Sequence, residues 1–232
     1  MHIPDGFLTP PVWAALDAGA IPVVGYFVRR TQRSFEQSRI PLLGVLGAFV
    51  FAAQMINFPI WAGTSGHLVG GALLALTLGP SAAVVVMTAI LVVQALVFQD
   101  GGLLALGANV LNMAVIGVWV GYLPAKLLGR RTSARRVAAF AGGWLSLMAG
   151  ALCAAIELWL SQVAPPGPLF ASMLGIHAVT GLAEGAITAA SLVAIERLNP
   201  GFVYANGGRA AQPAGDAVVE EPRARQAAVS GR

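Results

Sequence analysis

The chain has 232 residues, of which 57% are hydrophobic and only 10% are Asp, Glu, Lys or Arg, against roughly 25% charged residues in a soluble domain. With a mean hydropathy of +0.75, this excludes a water-soluble globular protein and a large multidomain enzyme, and leaves an all-α polytopic membrane protein with room for about six to eight spans. The net charge of +4 does not call for nucleic acid, because the basic residues fall in short clusters between apolar stretches, where membrane topology accounts for them.

In chain order, the N-terminal segment lacks a basic region and carries Asp5, Gly6 and prolines before its first apolar run, so it does not read as a cleavable signal peptide. Apolar runs and their breakers predict spans over Val12–Val28, Pro41–Phe58, Gly66–Leu78, Pro80–Phe98, Leu103–Leu128, Val137–Gln162 and Pro168–Ile195. That makes seven helices. The third is short and its start near Ala62–Ser65 is ambiguous, as in a half-span or broken helix. Beyond Asn199 the composition shifts to Pro, Gly, Ala, Arg and Glu; residues 1–199 read as one membrane-embedded domain and residues 200–232 as a disordered cytoplasmic tail. The single cysteine, Cys153, lies in an apolar stretch and excludes a disulfide framework within the chain.

Fixed positive charge gives the orientation. Arg29, Arg30, Arg33 and Arg39 follow the first span, Lys126, Arg130, Arg131, Arg135 and Arg136 the fifth, and Arg197 the seventh. With seven spans these segments share one side, while the opposite segments carry no Lys or Arg. The expectation is an outside N-terminus and a cytoplasmic C-terminus, in a multi-pass protein of the plasma (inner) membrane. Glycine pairs four residues apart, Gly66/Gly70, Gly117/Gly121 and Gly181/Gly185, suit close helix packing.

Several functions are excluded cheaply. The only lysine, Lys126, sits in Ala125-Lys126-Leu127 at a span end, so there is no Walker A loop and no buried Schiff-base lysine. No His-Glu-x-x-His pattern marks a zincin-type protease, and three histidines are too few for a multi-haem carrier.

The remaining chemistry is at Met1-His2-Ile3-Pro4-Asp5-Gly6. The α-amine of Met1, the backbone nitrogen of His2 and its imidazole Nδ1 can close two fused chelate rings around one metal ion. A fourth nitrogen, from His67, would complete a square-planar set suited to Ni(II) or Cu(II), with Co(II) conceivable, while hard Mg(II) or Ca(II) would be rejected. The plainer reading of His2 is a solvated terminal side chain. His67 is the sole residue with an ionisable side chain of consequence between Ile40 and Gln99, a stretch free of Asp, Glu, Lys and Arg, and polar groups at membrane depth are costly and commonly functional; its plainer role is a hydrogen bond to a backbone carbonyl. His177 and Glu184 lie two helical turns apart on one face, for packing or support of ligands, with direct ligation the remoter role. Asp5, Asp17, Asp100 and Glu157 map to the outer half, as a vestibule that concentrates dications or as helix caps.

Four segments carry a family resemblance: Met1 to Leu8; Gly63-Thr64-Ser65-Gly66-His67-Leu68-Val69-Gly70-Gly71; Asp100 to Asn109; and His177 to Gly185. Together they resemble the CbiM/NikM family, the substrate-capture (S) components of cobalt and nickel energy-coupling factor (ECF) transporters of the ABC type, over about residues 1 to 200. The resemblance implies that Met1, His2 and His67 hold Ni2+ or Co2+ as transported substrate; from the residues themselves, His177, Glu184 and Asp17 are the candidate supporting residues. It also implies a chain without its own ATPase site, working with two cytoplasmic ATPase subunits, a transmembrane coupling (T) subunit and a small accessory membrane protein. Two other functions fit the residues: an autonomous secondary transporter or channel for divalent cations, and a metal-dependent membrane enzyme, which lacks an evident general base beside an open coordination position.

Overall fold

The structure, a computed structural model, describes residues 1–59, 65–128 and 132–204. Seven helices occur among them: α1 (Pro10–Ser34), α2 (Ile40–Gln54), α3 (Gly71–Leu78), α4 (Pro80–Phe98), α5 (Leu106–Leu128), α6 (Thr132–Leu160) and α7 (Pro166–Leu198). Five of these, α1 and α4 to α7, are long and apolar enough to cross a membrane. The helices α2 and α3 are shorter than predicted, at 15 and 8 residues, against about 20 for a full span. The predicted second span ends early because the chain leaves α2 at Gln54 and extends into a two-residue antiparallel pairing of Phe58 with Gly66 and Pro59 with Ser65. The ambiguous start of the third span falls largely on residues 60–64, outside the described residues, as do Arg130 and Arg131.

The short helix α3 is central. Each of its eight residues is buried, and it packs against α4, α5, α6 and α7, as a helix apolar on all sides must. Its ends are set by backbone that only glycine adopts readily: Gly70 before it has φ +72° and Gly79 after it has φ +85°. Pro80 then starts α4, where a missing N–H costs nothing.

The most extensive helix pair is α6 against α7. Glycines let it close: a Cβ on Gly143 would lie 2.9 Å from the Gly185 Cα, and one on Gly185 would meet the Phe140 carbonyl oxygen at 2.6 Å. At Gly121 of α5 a Cβ would stand 2.9 Å from Ala72 Cβ of α3, so Gly121 and Gly185 of the predicted glycine pairs do sit at close crossings.

Two helices carry π-helical turns, Gln94–Phe98 at the end of α4 and Val110–Gly117 within α5. Such widened turns often accompany functional sites. The first opens at Gln94 and the second follows directly on Asn109, and both residues meet the N-terminal segment.

The C-terminal boundary moves. Residues expected to be a free tail from Pro200 form a short turn, Pro200–Phe202, and the Tyr204 N–H donates to the Leu76 carbonyl at 2.8 Å. Tyr204 lies over Gly79, and Arg39 Nη2 donates to the Phe202 carbonyl at 3.0 Å. The packed chain therefore reaches at least Tyr204; residues 205–232 lie outside the described residues.

Candidate metal centre

The N-terminus does not project into solvent. Met1, His2 and Ile3 are 1%, 2% and 0% exposed, because the segment is threaded between the helices and pinned from both sides. The side-chain amide of Asn109 grips Ile3 in both directions: Ile3 N–H donates to Asn109 Oδ1 at 2.8 Å, and Asn109 Nδ2 donates to the Ile3 carbonyl at 3.1 Å. Gly102 N–H donates to that same carbonyl at 2.9 Å. Asp5 accepts from the Leu103 and Leu104 N–H groups at 3.0 and 2.8 Å, and a side chain on Gly102 would overlap the Asp5 carboxylate. The Met1 thioether rests on Gly150 of α6, where a Cβ would lie 2.9 Å from Met1 Cε.

The backbone polar groups of Ile3 are thus all used. The Met1 amine and the His2 backbone nitrogen, by contrast, enter no hydrogen bond among the described residues. Burial pushes the Met1 amine down to about 4, with the Asp100 carboxylate opposing, so at neutral pH it is an uncharged nitrogen with a free lone pair. Burial also holds the His2 imidazole below its ordinary value, again against Asp100. At Asp100 burial acts upward, but the contacts with His2 and Asn57 outweigh it and keep the carboxyl low.

The structure brings His2 and His67 together. Their imidazoles stack with ring centroids 4.5 Å apart and planes 22° from parallel. His2 Nδ1 lies 3.3 Å from Asp100 Oδ1, and Gly101, with φ +94°, lets the loop approach the ring: a Cβ there would stand 3.2 Å from His2 Cδ2. His67 Nδ1 is 2.8 Å from the Leu68 carbonyl. A carbonyl only accepts, so Nδ1 carries the proton and the lone pair is on Nε2, which is buried without a partner.

The segment carrying His67 is held by two other helices. Gln54 Nε2 of α2 donates to the Val69 carbonyl at 2.6 Å, and Glu184 of α7 accepts from the Val69 and Gly70 N–H groups at 2.9 and 2.7 Å. His177, one face of α7 with Glu184, has Nδ1 2.6 Å from the Met173 carbonyl and a buried, unpartnered Nε2. It lies in the same buried region as the Met1 amine and His67.

Unpaired buried nitrogens are rare because each costs free energy. Here the Met1 amine, His2 Nε2, His67 Nε2 and His177 Nε2 gather in one region. No group of three His, Cys, Asp or Glu side chains among the described residues could hold a metal.

Other predicted residues are placed elsewhere. Asp17 accepts from the Gly107 N–H at 2.7 Å and joins α1 to the first turn of α5; its described bond is a cap and does not reach the histidines. Glu157 is not in an open vestibule: it is buried and accepts from Asn112 Nδ2 at 2.7 Å. Asp5 also caps. Of the four outer carboxylates only Asp100 faces the site. Sequence reading missed Asn109, and it missed Gln94, whose side-chain amide lies beside the His2 ring with neither polar atom paired. A signal existed: Gln94, Asn109 and Asn112 are amides at membrane depth.

Residues 2–202 match the family model described as the cobalt uptake substrate-specific transmembrane region, CbiM. The chain belongs to the CbiM family. Among the relatives of this CbiM-family chain, one from Haloquadratum walsbyi with the provisional name of a metal transport protein is 43% identical over 206 residues, spanning 88% of this chain and 94% of that protein. Another, from Archaeoglobus fulgidus, provisionally named a fused nickel transport protein, is 41% identical over 205 residues, 88% of this chain and 68% of the relative. A crystal structure described as a truncated transition metal transporter superposes with a TM-score of 0.77 at 37% identity, covering 85% of this chain and 98% of that one. The CbiM-family chain is accordingly a multi-pass membrane protein, its long apolar helices being transmembrane.

Proposed function

We propose that this protein captures Ni2+ or Co2+ at the membrane surface and is the substrate-binding component through which the ion is imported. The carrying observation is the buried N-terminus, which places an uncharged amine and an unbonded His2 backbone nitrogen beside the stacked His2 and His67 rings. The family match and the nickel and transition-metal names of its relatives support the same substrate class.

In this reading Met1 supplies its amine, His2 its backbone nitrogen and Nδ1, and His67 its Nε2. The amide proton of His2 is released on binding. His2 Nδ1 gives up its contact with Asp100 and the ring proton moves to Nε2, so that Nδ1 presents its lone pair to the metal, while the His67 ring would turn out of the stack so that its Nε2 reaches the ion. Asn109, Gly102 and Asp5 fix the segment, so little backbone order is lost when the ion arrives. Glu184 and Gln54 fix the His67 segment, as outer groups do around ligating histidines.

The protein acts within an energy-coupling factor transporter, with two cytoplasmic ATPase subunits, a transmembrane coupling subunit and a small accessory membrane protein. The N-terminus faces outward and the arginine clusters inward. Uptake of 63Ni or 57Co into vesicles, with the chain alone and with its partners supplied with ATP, tests this. Ion retention by the chain alone and accumulation only with ATP-hydrolysing partners is the expected result; ATP-independent accumulation by the chain alone would assign it to autonomous transport.

A further inference from the structure

At the opposite end of α1 from the N-terminal site, the four arginines Arg29, Arg30, Arg33 and Arg39 line one cavity of about 610 Å3. Charge bias explains why arginines collect on one side of a membrane; it does not explain why they converge on a concavity. One of them, Arg39, is only 9% exposed. Its Nη2 donates to the Thr77 and Phe202 carbonyls at 2.8 and 3.0 Å, while its Nε is buried without a partner. The first turn of α4, Gly79 to Ala82, forms another wall, and N–H groups in a first turn lack intrahelical acceptors and favour anions.

Glu36 is the single carboxylate lining the cavity, and no ion pair to any of the four arginines occurs among the described residues. Arg29, Arg30 and Arg33 are exposed. The site therefore combines three exposed guanidiniums without an ion pair among the described residues, a buried fourth and a helix N-terminus, which is the donor set of a phosphate site.

The surroundings decide the source of that phosphate. Ile21 and Tyr26 of α1 and Ile40 and Val45 of α2 are 74%, 55%, 56% and 67% exposed. Large apolar side chains so exposed on the helices of a membrane-embedded chain face acyl chains. Arg30 Nη1 donates to the Tyr26 hydroxyl at 2.9 Å, the pairing of aromatic and cation found at headgroup level. A headgroup in the cavity would have its tails run down this apolar face, which a free anion would leave unused. We propose that the cavity binds the phosphate of an anionic membrane lipid, tying α1 to the α2 and α4 ends. This is independent of the metal reading.

The test is native mass spectrometry of the full chain released from nanodiscs of equal phosphatidylglycerol and phosphatidylcholine, with a parallel titration by inorganic phosphate. Retention of phosphatidylglycerol over phosphatidylcholine is expected, falling roughly fivefold for each of Arg29→Gln, Arg30→Gln and Arg33→Gln, with the Lys replacements retaining most of it. Arg39 is left intact because it bonds two backbone carbonyls. Gel filtration and Ni2+ retention report folding, and the Lys replacements serve if a Gln variant fails to fold. Equal retention of the two lipids, or an unchanged preference in the variants, overturns the proposal. Displacement of the lipid by millimolar phosphate overturns the lipid source, and variants that keep the lipid preference but no longer co-purify with partner subunits make the cavity a protein-docking site instead.

Discussion

Glu184, midway along α7, accepts a hydrogen bond from the Gly70 N–H at 2.7 Å, and its second carboxylate oxygen takes the neighbouring Val69 N–H. A buried carboxylate thereby caps the start of α3, where a negative charge is favoured, and fixes the backbone two residues after His67. Glu184→Ala leaves a buried N–H at Val69 unpaired, at about 1–3 kcal/mol, and a part-buried one at Gly70. Equilibrium dialysis with Ni2+ should show affinity falling about ten- to hundredfold, and less for Glu184→Gln, which keeps one carbonyl acceptor. Wild-type affinity in both variants would remove Glu184 from the support of the site.

Adding one residue before Met1 keeps every side chain but converts the amine into an amide and moves the new terminus away. Because Met1 is 1% exposed and rests on Gly150, the extended chain has no room to accommodate the extra residue in place. Loss of high-affinity Ni2+ binding, read by metal content of the purified protein, is expected; undiminished content would disprove main-chain chelation while leaving the family assignment intact.

The tautomer at His67 makes a prediction that a packing role does not share. Nδ1 is committed to the Leu68 carbonyl, which leaves Nε2 as the nitrogen with which the proposed site would ligate. His67→Gln and His67→Ala should both lose binding, with His2→Ala as severe, and the visible spectrum of the Ni2+ form should be that of a planar nitrogen complex. In competition Ni2+ should displace Co2+, since planar nitrogen donors favour the former. A six-coordinate spectrum, or full binding by His67→Gln, would contradict the ligand set.

Proton counts test the amine directly. Its folded value, about 4, lies below the ordinary 8.0 of a free terminus. Between these values the unfolded chain binds the extra proton, so this group makes stability rise with pH from about 4 to about 8, a trend thermal melts should show. Because the amine and His2 are already neutral at pH 7, metal binding should release about one proton, that of the His2 amide. Calorimetry in buffers of different ionisation enthalpy measures this; a release near two would mean that the amine is charged before binding.

Much of the centre was legible because it depends on local covalent geometry: a terminal amine followed by histidine can chelate in any fold, and His67 stood alone in an uncharged stretch. The spacing of His177 and Glu184 also placed them correctly on one buried face of α7. What was not legible depends on contacts far apart in the chain. Asn109 recognises Ile3 across 106 positions, and nothing in either local sequence announces the pairing. Charge gave Arg39 a side of the membrane but could not show that its guanidinium turns inward to Thr77 and Phe202. The early end of α2 escaped the hydropathy pattern because the residues after Gln54 are as apolar as those before it.

The enclosure of α3 limits how the protein can work. Every residue of that helix touches protein and none faces lipid, so α3 has no seam along which it could slide, and the His67 segment leads straight into it. Displacing it alone would open a void lined by its former neighbours, a cost of the kind that makes packed interiors resist partial motion. On this packing α3 and its neighbours would have to move together, and an ion held beside His67 would travel with the whole helical body, like cargo on a turning drum.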